Sequence, residues 1–417
     1  MPKIRIEGGN KISVTITVSG AKNSVVALIP AAILCDESTI ISNVPNITDV
    51  DDLENILVHL NAKFKRSNGT IEINSSEIIN KEITQDLSKK LRASYYFMGA
   101  LLGKFNKVEM YFPGGCTIGA RPINLHLKGF ELLGAKVTED GDHFIIEAEK
   151  LKGNKIYLDF PSVGATINIM LAAVKAKGKT VIENAAQEPE IVNVATYLNN
   201  MGAKIKGAGT STITIVGVKY LHNCFHEVIP DRIEAGTYLV TAALIGQNLK
   251  IDNIIPNHIE ALIAKLKEAG VDMEIGVDNI IVNEVKDYKA VNIKTLVYPG
   301  FATDLQQVMA TFLTQCEGKS IVEETIYENR FQNLYELEKM GAEFKVNKDN
   351  LKATIKGKTK LTGTDVNATD LRGGACLLVA GLLADGVTTI DNIGYILRGY
   401  DKIVEKLTKV GAKIEII

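Results

Sequence analysis

Hydrophobic and polar positions along this chain fall into a pattern that repeats six times. Each period holds one stretch that is apolar nearly all round a helix: Val25 to Leu34, Ala93 to Leu102, Ala165 to Val174, Ala235 to Leu244, Leu305 to Leu313 and Ala375 to Leu383. A helix with no polar face has to be buried. Each period also holds an amphipathic helix with a stripe at helical spacing, such as Ile191, Val192, Ala195, Leu198 and Met201, or Ile403, Leu407 and Val410.

A short phrase closes that second helix: Asn61-Ala62-Lys63-Phe64, Gly134-Ala135-Lys136-Val137, Gly202-Ala203-Lys204-Ile205, Gly270-Val271-Asp272-Met273, Gly341-Ala342-Glu343-Phe344 and Gly411-Ala412-Lys413-Ile414. The spacings are 73, 68, 68, 71 and 70 residues, and so regular a period outranks local propensity as a sign of fold. The leading glycine suits the left-handed position just past a helix end. The chain then alternates and turns, at Asn68-Gly69 and at Asp140-Gly141, pairs that favour hairpin turns.

Periods near 70 residues exceed the roughly 20–50 residues of solenoid repeats, so the units are expected to close into domains, three to each. The last period stops at Ile417 without a second hairpin strand, whereas the strand-like Lys3 to Ser19 precedes the first. The expected organisation is one domain of residues 1–20 plus 230–417 and another of residues 21–229. The two chain crossings near 20 and 230 would form a hinge.

Composition adds mostly exclusions. Apolar residues make up 46% and charged residues 23%, as in soluble globular proteins. A formal charge of −2 offers no general attraction to nucleic acid or anionic membranes, so anion binding has to be local. The five cysteines form no C-x-x-C pattern, which argues against a disulfide framework or zinc site and for a reducing compartment. The N-terminus lacks an apolar signal region and no apolar run reaches membrane length, so a soluble cytoplasmic protein is expected.

Only eight of the 47 basic residues are arginine. A chain so rich in lysine is expected to keep arginine where a planar fork must grip carboxylate or phosphate. Arg92, Arg121, Arg330, Arg372 and Arg398 stand in turns beside the apolar helices, in both expected domains, where they could line a cleft around a polyanion. Structural ion pairing is the competing reading. Lys22-Asn23 opens the first apolar helix, where helix amides already favour anions; a lysine there is also often plain surface.

The segment Pro113-Gly114-Gly115-Cys116-Thr117-Ile118-Gly119-Ala120-Arg121 sets a cysteine among three glycines and ends in arginine. Glycines permit a mobile lid and a cation favours the thiolate, although a lone loop cysteine is more often inert. His126 is the histidine near it in sequence, and a protease-like Cys-His pair is not supported. Asp304 and Asp370 stand at the entrances of apolar helices, as bases or, more ordinarily, as N-caps. There is no P-loop, dinucleotide fingerprint or metal-ligand cluster, and no cofactor is expected.

Taken together, these pieces resemble the enolpyruvyl transferases over essentially the full chain. The resemblance rests on Ser19-Gly20-Ala21-Lys22-Asn23, the Pro113 to Leu125 loop, Ser162-Val163-Gly164-Ala165-Thr166, Pro230 to Gly236, Tyr298 to Asp304, Glu328-Asn329-Arg330-Phe331 and Asp370-Leu371-Arg372. It implies an α/β fold, a two-domain inverse α/β barrel built from six β-α-β-α-β-β repeats. It also implies transfer of enolpyruvyl from phosphoenolpyruvate to UDP-N-acetylglucosamine, at the start of peptidoglycan precursor synthesis, by a monomer or weak oligomer. Lys22, Arg121 and Arg398 would hold phosphate, with Arg330 and Arg372 at the carboxylate and Asn23 on the reacting sugar. Arg92, Arg121, Pro122, Ile123, Asn124, Leu125, Ser162, Val163, Gly164, Asp304 and Ile326 would contact the sugar nucleotide. Cys116 would protonate the methylene carbon and take fosfomycin. Asp304 would be the base, supported by Asp370.

The sequence departs from the family at Tyr395 and Leu397, where a histidine and an aspartate are common, and at Phe160-Pro161, where some members have a basic residue. One rival reading is 5-enolpyruvylshikimate-3-phosphate synthase, with the same chemistry on the same fold. Another is a catalytically retired copy that only binds. The long cysteine loop and Arg121 to Leu125 favour the nucleotide sugar.

Overall fold

The computed structural model describes residues 2–417 apart from 115–117, 120, 285, 286, 348 and 350. The chain separates into two compact units. A split unit comprises Met1–Ser19, Thr117–Ala120 and Pro230–Ile417, and an inserted unit comprises Gly20–Cys116 and Arg121–Ile229.

Each unit is organised around three inner helices. In the inserted unit these are Lys22–Ala32, Tyr96–Phe105 and Val163–Ala173; in the split unit they are Arg232–Ile245, Thr303–Leu313 and Leu371–Leu383. All six are almost wholly buried, as their largely apolar sequences require, with Asn168, Gln306 and Gln307 buried among the apolar side chains. The second begins later than its hydrophobicity suggests, because Arg92–Tyr95 forms a tight 3-10 turn ahead of it. Where inner helices meet, glycine lets backbones touch: a Cβ on Gly99 would lie 2.3 Å from the Asn168 carbonyl oxygen.

The third repeat shows the unit plan. Strand Lys155–Tyr157 leads through the inner helix Val163–Ala173 to the parallel strand Lys179–Glu183. The outer helix Pro189–Asn200 follows, then the antiparallel strands Lys204–Lys206 and Thr212–Val216. Ile191, Val194, Ala195, Leu198 and Met201 of this outer stretch face inward. Val192, expected in that stripe, is 38% exposed, because a 3.6-residue repeat starting at 191 passes through 194 and 195 instead.

Among the described residues the strands form six sheets, one for each repeat. Three of them are completed by distant sequence. In the inserted unit Phe225–Glu227, near its end, lies parallel to Ser38–Ser42, near its start. In the split unit Ile4–Glu7 pairs antiparallel with both Val387–Asp391 and Lys413–Ile416, so that Ile6 faces Thr388 and Ile414. Ile12–Thr17 runs parallel to Gly246–Asp252, and the whole inserted unit interrupts the connection between them.

The phrase that closes each outer helix has one backbone cause. Asn61, Gly134, Gly202, Gly270, Gly341 and Gly411 all have positive φ, from +66° at Asn61 to +109° at Gly411. That conformation reverses the chain after a helix at no steric cost to glycine and little to asparagine. Asn68 and Gly69 form the hairpin turn between Lys63–Ser67 and Thr70–Asn74. In the next hairpin Asp140 pairs with His143, so the turn residues are Gly141 and Asp142, one position beyond the expected pair. Cross-strand pairing decides the register there, and Gly141 supplies the positive φ.

Candidate active site

In the inserted unit, three expected site segments open helices. Lys22 is the first residue of Lys22–Ala32, and its ammonium lies 3.0 Å from Asp49, a fully buried carboxylate in the first turn of the outer helix Thr48–His59. No side chain caps the Lys22 helix; the Ser24 and Val25 amides donate to the Ala21 carbonyl oxygen, and partly exposed Asn23 stands in the same first turn. Gly20 is forced by packing, since a Cβ there would meet the Asn43 carbonyl oxygen at 1.7 Å.

The second segment precedes the helix Asn124–Leu132. Arg92 donates from Nη2 to the Arg121 carbonyl oxygen and lies 5.9 Å from the centre of the Tyr95 ring. That bond ties Arg92 to the Arg121 to Leu125 segment, in which Pro122 and Asn124 are exposed while Ile123 is buried as an anchor. The third segment is Ser162-Val163-Gly164. Ser162 caps the helix Val163–Ala173 by accepting the Ala165 N–H at 3.3 Å, leaving the amides of Val163 and Gly164 without intrahelical acceptors. Phe160 stands just before, 45% exposed and uncharged.

The split unit gathers an arginine clamp. Arg330, 2% exposed, donates from Nη2 to Asp304 Oδ1 at 2.7 Å. Arg372, 3% exposed, donates from Nη2 to the other oxygen, Oδ2, at 3.2 Å. The two guanidiniums lie 5.4 Å from the Tyr327 ring and 5.5 Å from the Tyr400 ring, which hold them in place. Arg330 Nε and Arg372 Nη1 are buried without a hydrogen-bond partner among the described residues. Two buried cations therefore carry unused donors beside one carboxylate, and such forks suit a second anion.

Asp370 and Asp304, which look alike in sequence, differ here. Asp370 Oδ1 accepts the N–H groups of Arg372 and Gly373, and Oδ2 accepts Gln307 Nε2 at 2.9 Å and the Thr369 hydroxyl at 3.2 Å. With both oxygens occupied and 4% exposure, Asp370 caps the helix Leu371–Leu383 and orients the Arg372 backbone. Asp304 keeps part of its carboxylate accessible.

Ile326 is fixed by a residue that sequence reasoning missed. Buried Glu324 accepts the backbone N–H of Ile326 at 2.8 Å and of Tyr327 at 3.3 Å, and the hydroxyls of Thr295 at 2.8 Å and Thr303 at 3.0 Å. It thereby joins the Ile326 loop to the helix that begins beside Asp304. Nothing in the local sequence distinguishes Glu324 from its neighbours. Arg398 ends the short helix Gly394–Leu397, and Tyr395 and Leu397 pack against the unit's hydrophobic core.

Cys116 lies outside the described residues. Beyond it, Ile118 accepts the Asn329 N–H at 3.1 Å, and a Cβ on Gly119 (φ +139°) would lie 2.1 Å from Glu328 Oε2. The described end of the thiol loop thus rests on the residues that lead into Arg330. The other thiols are weakly acidic. Burial pushes Cys224 and Cys376 up to about 11 and Cys316 to about 12, and raises Cys35. Among the described residues no His, Cys, Asp and Glu side chains group to hold a metal, and no helix is long and apolar enough to cross a membrane.

A sequence profile of the family described as EPSP synthase (3-phosphoshikimate 1-carboxyvinyltransferase) matches residues 6–407. UDP-N-acetylglucosamine 1-carboxyvinyltransferase 2 of Listeria innocua is 54% identical over 412 residues, 99% of this chain and 97% of the relative. The protein of the same name from Bacillus subtilis is 51% identical over 415 residues, 99% of this chain and 96% of the relative. The crystal structure of the enolpyruvyl transferase NikO from Streptomyces tendae superposes with a TM-score of 0.90 at 26% identity, covering 100% of this chain and 98% of that one. Six repeats of one plan, a carboxylate clamped by two arginines and full-length likeness agree: the chain belongs to the EPSP synthase family of carboxyvinyltransferases, among the UDP-N-acetylglucosamine 1-carboxyvinyltransferases.

Proposed function

We infer that this chain transfers the enolpyruvyl group of phosphoenolpyruvate to the 3′-hydroxyl of UDP-N-acetylglucosamine with release of phosphate, the first committed step of peptidoglycan precursor synthesis. The observation that carries the reading is the clamp: Arg330 and Arg372, both buried, share Asp304 and keep buried donors unused. Phosphoenolpyruvate brings a carboxylate and a phosphate, the anions such forks accept.

The sugar hydroxyl adds to C2 of phosphoenolpyruvate as C3 gains a proton, giving a tetrahedral ketal. C3 then loses a proton while the bond from C2 to the phosphate oxygen breaks, and phosphate leaves. Cys116 gives the proton to C3, and Asp304 receives the hydroxyl proton. Arg330, Arg372 and Arg398, with Lys22 and Arg121, stabilise the changing charge through fixed donors. Asn23 hydrogen-bonds the reacting sugar. Arg92, the Arg121 to Leu125 segment, Ser162 to Gly164 and Ile326 hold the nucleotide and sugar. Asp370 acts through the Arg372 backbone. An enzyme with these substrates works in the cytoplasm.

The Listeria and Bacillus relatives support UDP-N-acetylglucosamine as the acceptor over shikimate 3-phosphate. A competition assay tests this. With phosphoenolpyruvate and a chelator present, phosphate release should depend on UDP-N-acetylglucosamine and be absent with shikimate 3-phosphate. Release with the shikimate ester alone would overturn the acceptor assignment.

A further inference from the structure

The helix Asn124–Leu132 carries His126, only 5% exposed, beneath the first turn of the helix Val163–Ala173. Its Nδ1 lies 2.9 Å from Asn168 Nδ2, and Asn168 Oδ1 accepts the Gly99 N–H at 2.9 Å. The Gly99 bond fixes the amide, with oxygen toward Gly99 and nitrogen toward the ring. Asn168 therefore donates, Nδ1 accepts, and a neutral ring carries its proton on Nε2. Burial, with Arg92 adding to it, pushes His126 down to about 3, so the neutral ring is the form present at physiological pH.

The Nε2–H has no hydrogen-bond partner among the described residues. His226, also buried, differs: both its ring nitrogens lie near amides, Asn193 at 2.9 Å and Asn200 at 3.4 Å. The free edge of His126 faces Gly164. A Cβ built on Gly164 would lie 2.9 Å from His126 Cε1, 3.1 Å from Nε2 and 3.1 Å from the Tyr95 hydroxyl oxygen. Any larger residue at position 164 would collide with this edge. The amides of Val163 and Gly164, open at the helix start, lie in the same first turn.

We propose that His126 is a substrate-binding residue whose Nε2–H, with the Val163 and Gly164 amides, donates to an anionic oxygen of a nucleoside diphosphate. An all-donor cradle of uncharged groups at a helix N-terminus suits a phosphate oxygen. The inference rests on the sugar-nucleotide reading above and adds a residue to it. The tautomer matters, because a proton on Nδ1 would leave Nε2 a lone pair that repels the anion.

Calorimetric titration of the full-length enzyme with UDP and with uridine tests the assignment. His126→Phe keeps the ring volume and loses the donor. It should weaken UDP binding on the order of 10-fold, the effect expected for a hydrogen bond to a charged group, and leave uridine binding unchanged. His126→Gln, whose amide reaches the Nε2 position, should recover most of the UDP affinity. A folded Phe variant with wild-type UDP affinity would overturn the proposal. So would equal losses for UDP and uridine, because the ring would then only support the pocket. If the Phe variant does not fold, His126→Asn, too short to reach Nε2, should lose UDP affinity that Gln retains; equal affinities for that pair would overturn the proposal. A wild-type enzyme that binds neither UDP nor uridine would overturn the sugar-nucleotide reading itself, and this role with it.

Discussion

Arg330 holds Asp304 through a single 2.7 Å bond from Nη2 to Oδ1, while its own Nε stays buried with no partner among the described residues. Arg372 holds the other Asp304 oxygen at 3.2 Å. One guanidinium thus positions a carboxylate and presents a second donor at once, which the point charge of lysine cannot do. Arg330→Lys should therefore lower kcat/KM for phosphoenolpyruvate on the order of 10-fold or more. Steady-state kinetics with varied phosphoenolpyruvate checks this; near-native values would make the clamp a purely structural ion pair.

The two aspartates should separate by kind of defect. Asp304→Asn removes the carboxylate that receives the hydroxyl proton and should cut kcat by at least about 100-fold, and it also destabilises by leaving Arg330 and Arg372 without their shared carboxylate. Asp370→Ala removes a helix cap and strands buried Gln307 Nε2, costing about 2–3 kcal/mol of stability. Asp370→Asn should cost under about 1 kcal/mol, because Gln307 can turn its amide and use Oε1, which has no partner now. Urea unfolding of the three variants beside their kinetics gives the answer. A kcat loss at Asp370→Asn matching that at Asp304→Asn would contradict the division.

Much of the fold was legible because its causes are local. Positive φ after each outer helix calls for glycine or asparagine, and all six positions carry one. The inner helices were legible because no polar stripe breaks them. What escaped depended on distant partners. Pairing of Asp140 with His143 moved a turn by one residue, and helical phase sent Val192 to solvent. The scarcity of arginine pointed toward Arg330 and Arg372, but Arg5 and Arg66 make ordinary ion pairs with Glu415 and Asp51. The closure of Arg330, Asp304 and Arg372 into one clamp spans three segments that no local pattern links. Glu324 was invisible for the same reason, and His126 stood out only as an unsupported thiol partner, since each gains meaning only from what packs beside it.

Thiol chemistry should be confined to one position. Burial raises the pKa values of Cys35, Cys224, Cys316 and Cys376, so at neutral pH these groups are protonated and poor nucleophiles. Brief alkylation at pH 7, or fosfomycin, should label Cys116 alone and abolish turnover. Cys116→Asp should escape labelling and retain activity, because a carboxylic acid also donates a proton. Peptide mass spectrometry decides, and a label on any of the other four thiols accompanying inactivation would sink the assignment.

Acid should loosen the inserted unit through His126. The unfolded chain takes up a proton near pH 6.5 that the folded ring refuses until about pH 3. Stability is therefore full above pH 6.5 and falls as the pH drops below it, by about 1.4 kcal/mol per pH unit, or about 2 kcal/mol by pH 5. Urea melts at pH 7 and pH 5 should show His126→Gln losing about that much less than wild type. An identical pH response in both proteins would mean that His126 titrates normally in the fold.

The central claim is that carbon, and not phosphorus, moves to the sugar. Phosphoenolpyruvate labelled with heavy oxygen at the bridge between C2 and phosphorus tests this directly, using the full-length enzyme and UDP-N-acetylglucosamine. Breaking the bond between C2 and oxygen predicts that released phosphate carries the bridging label and that the sugar nucleotide gains one enolpyruvyl group. Unlabelled phosphate, with the heavy oxygen left in pyruvate and no enolpyruvyl sugar nucleotide formed, would contradict the account.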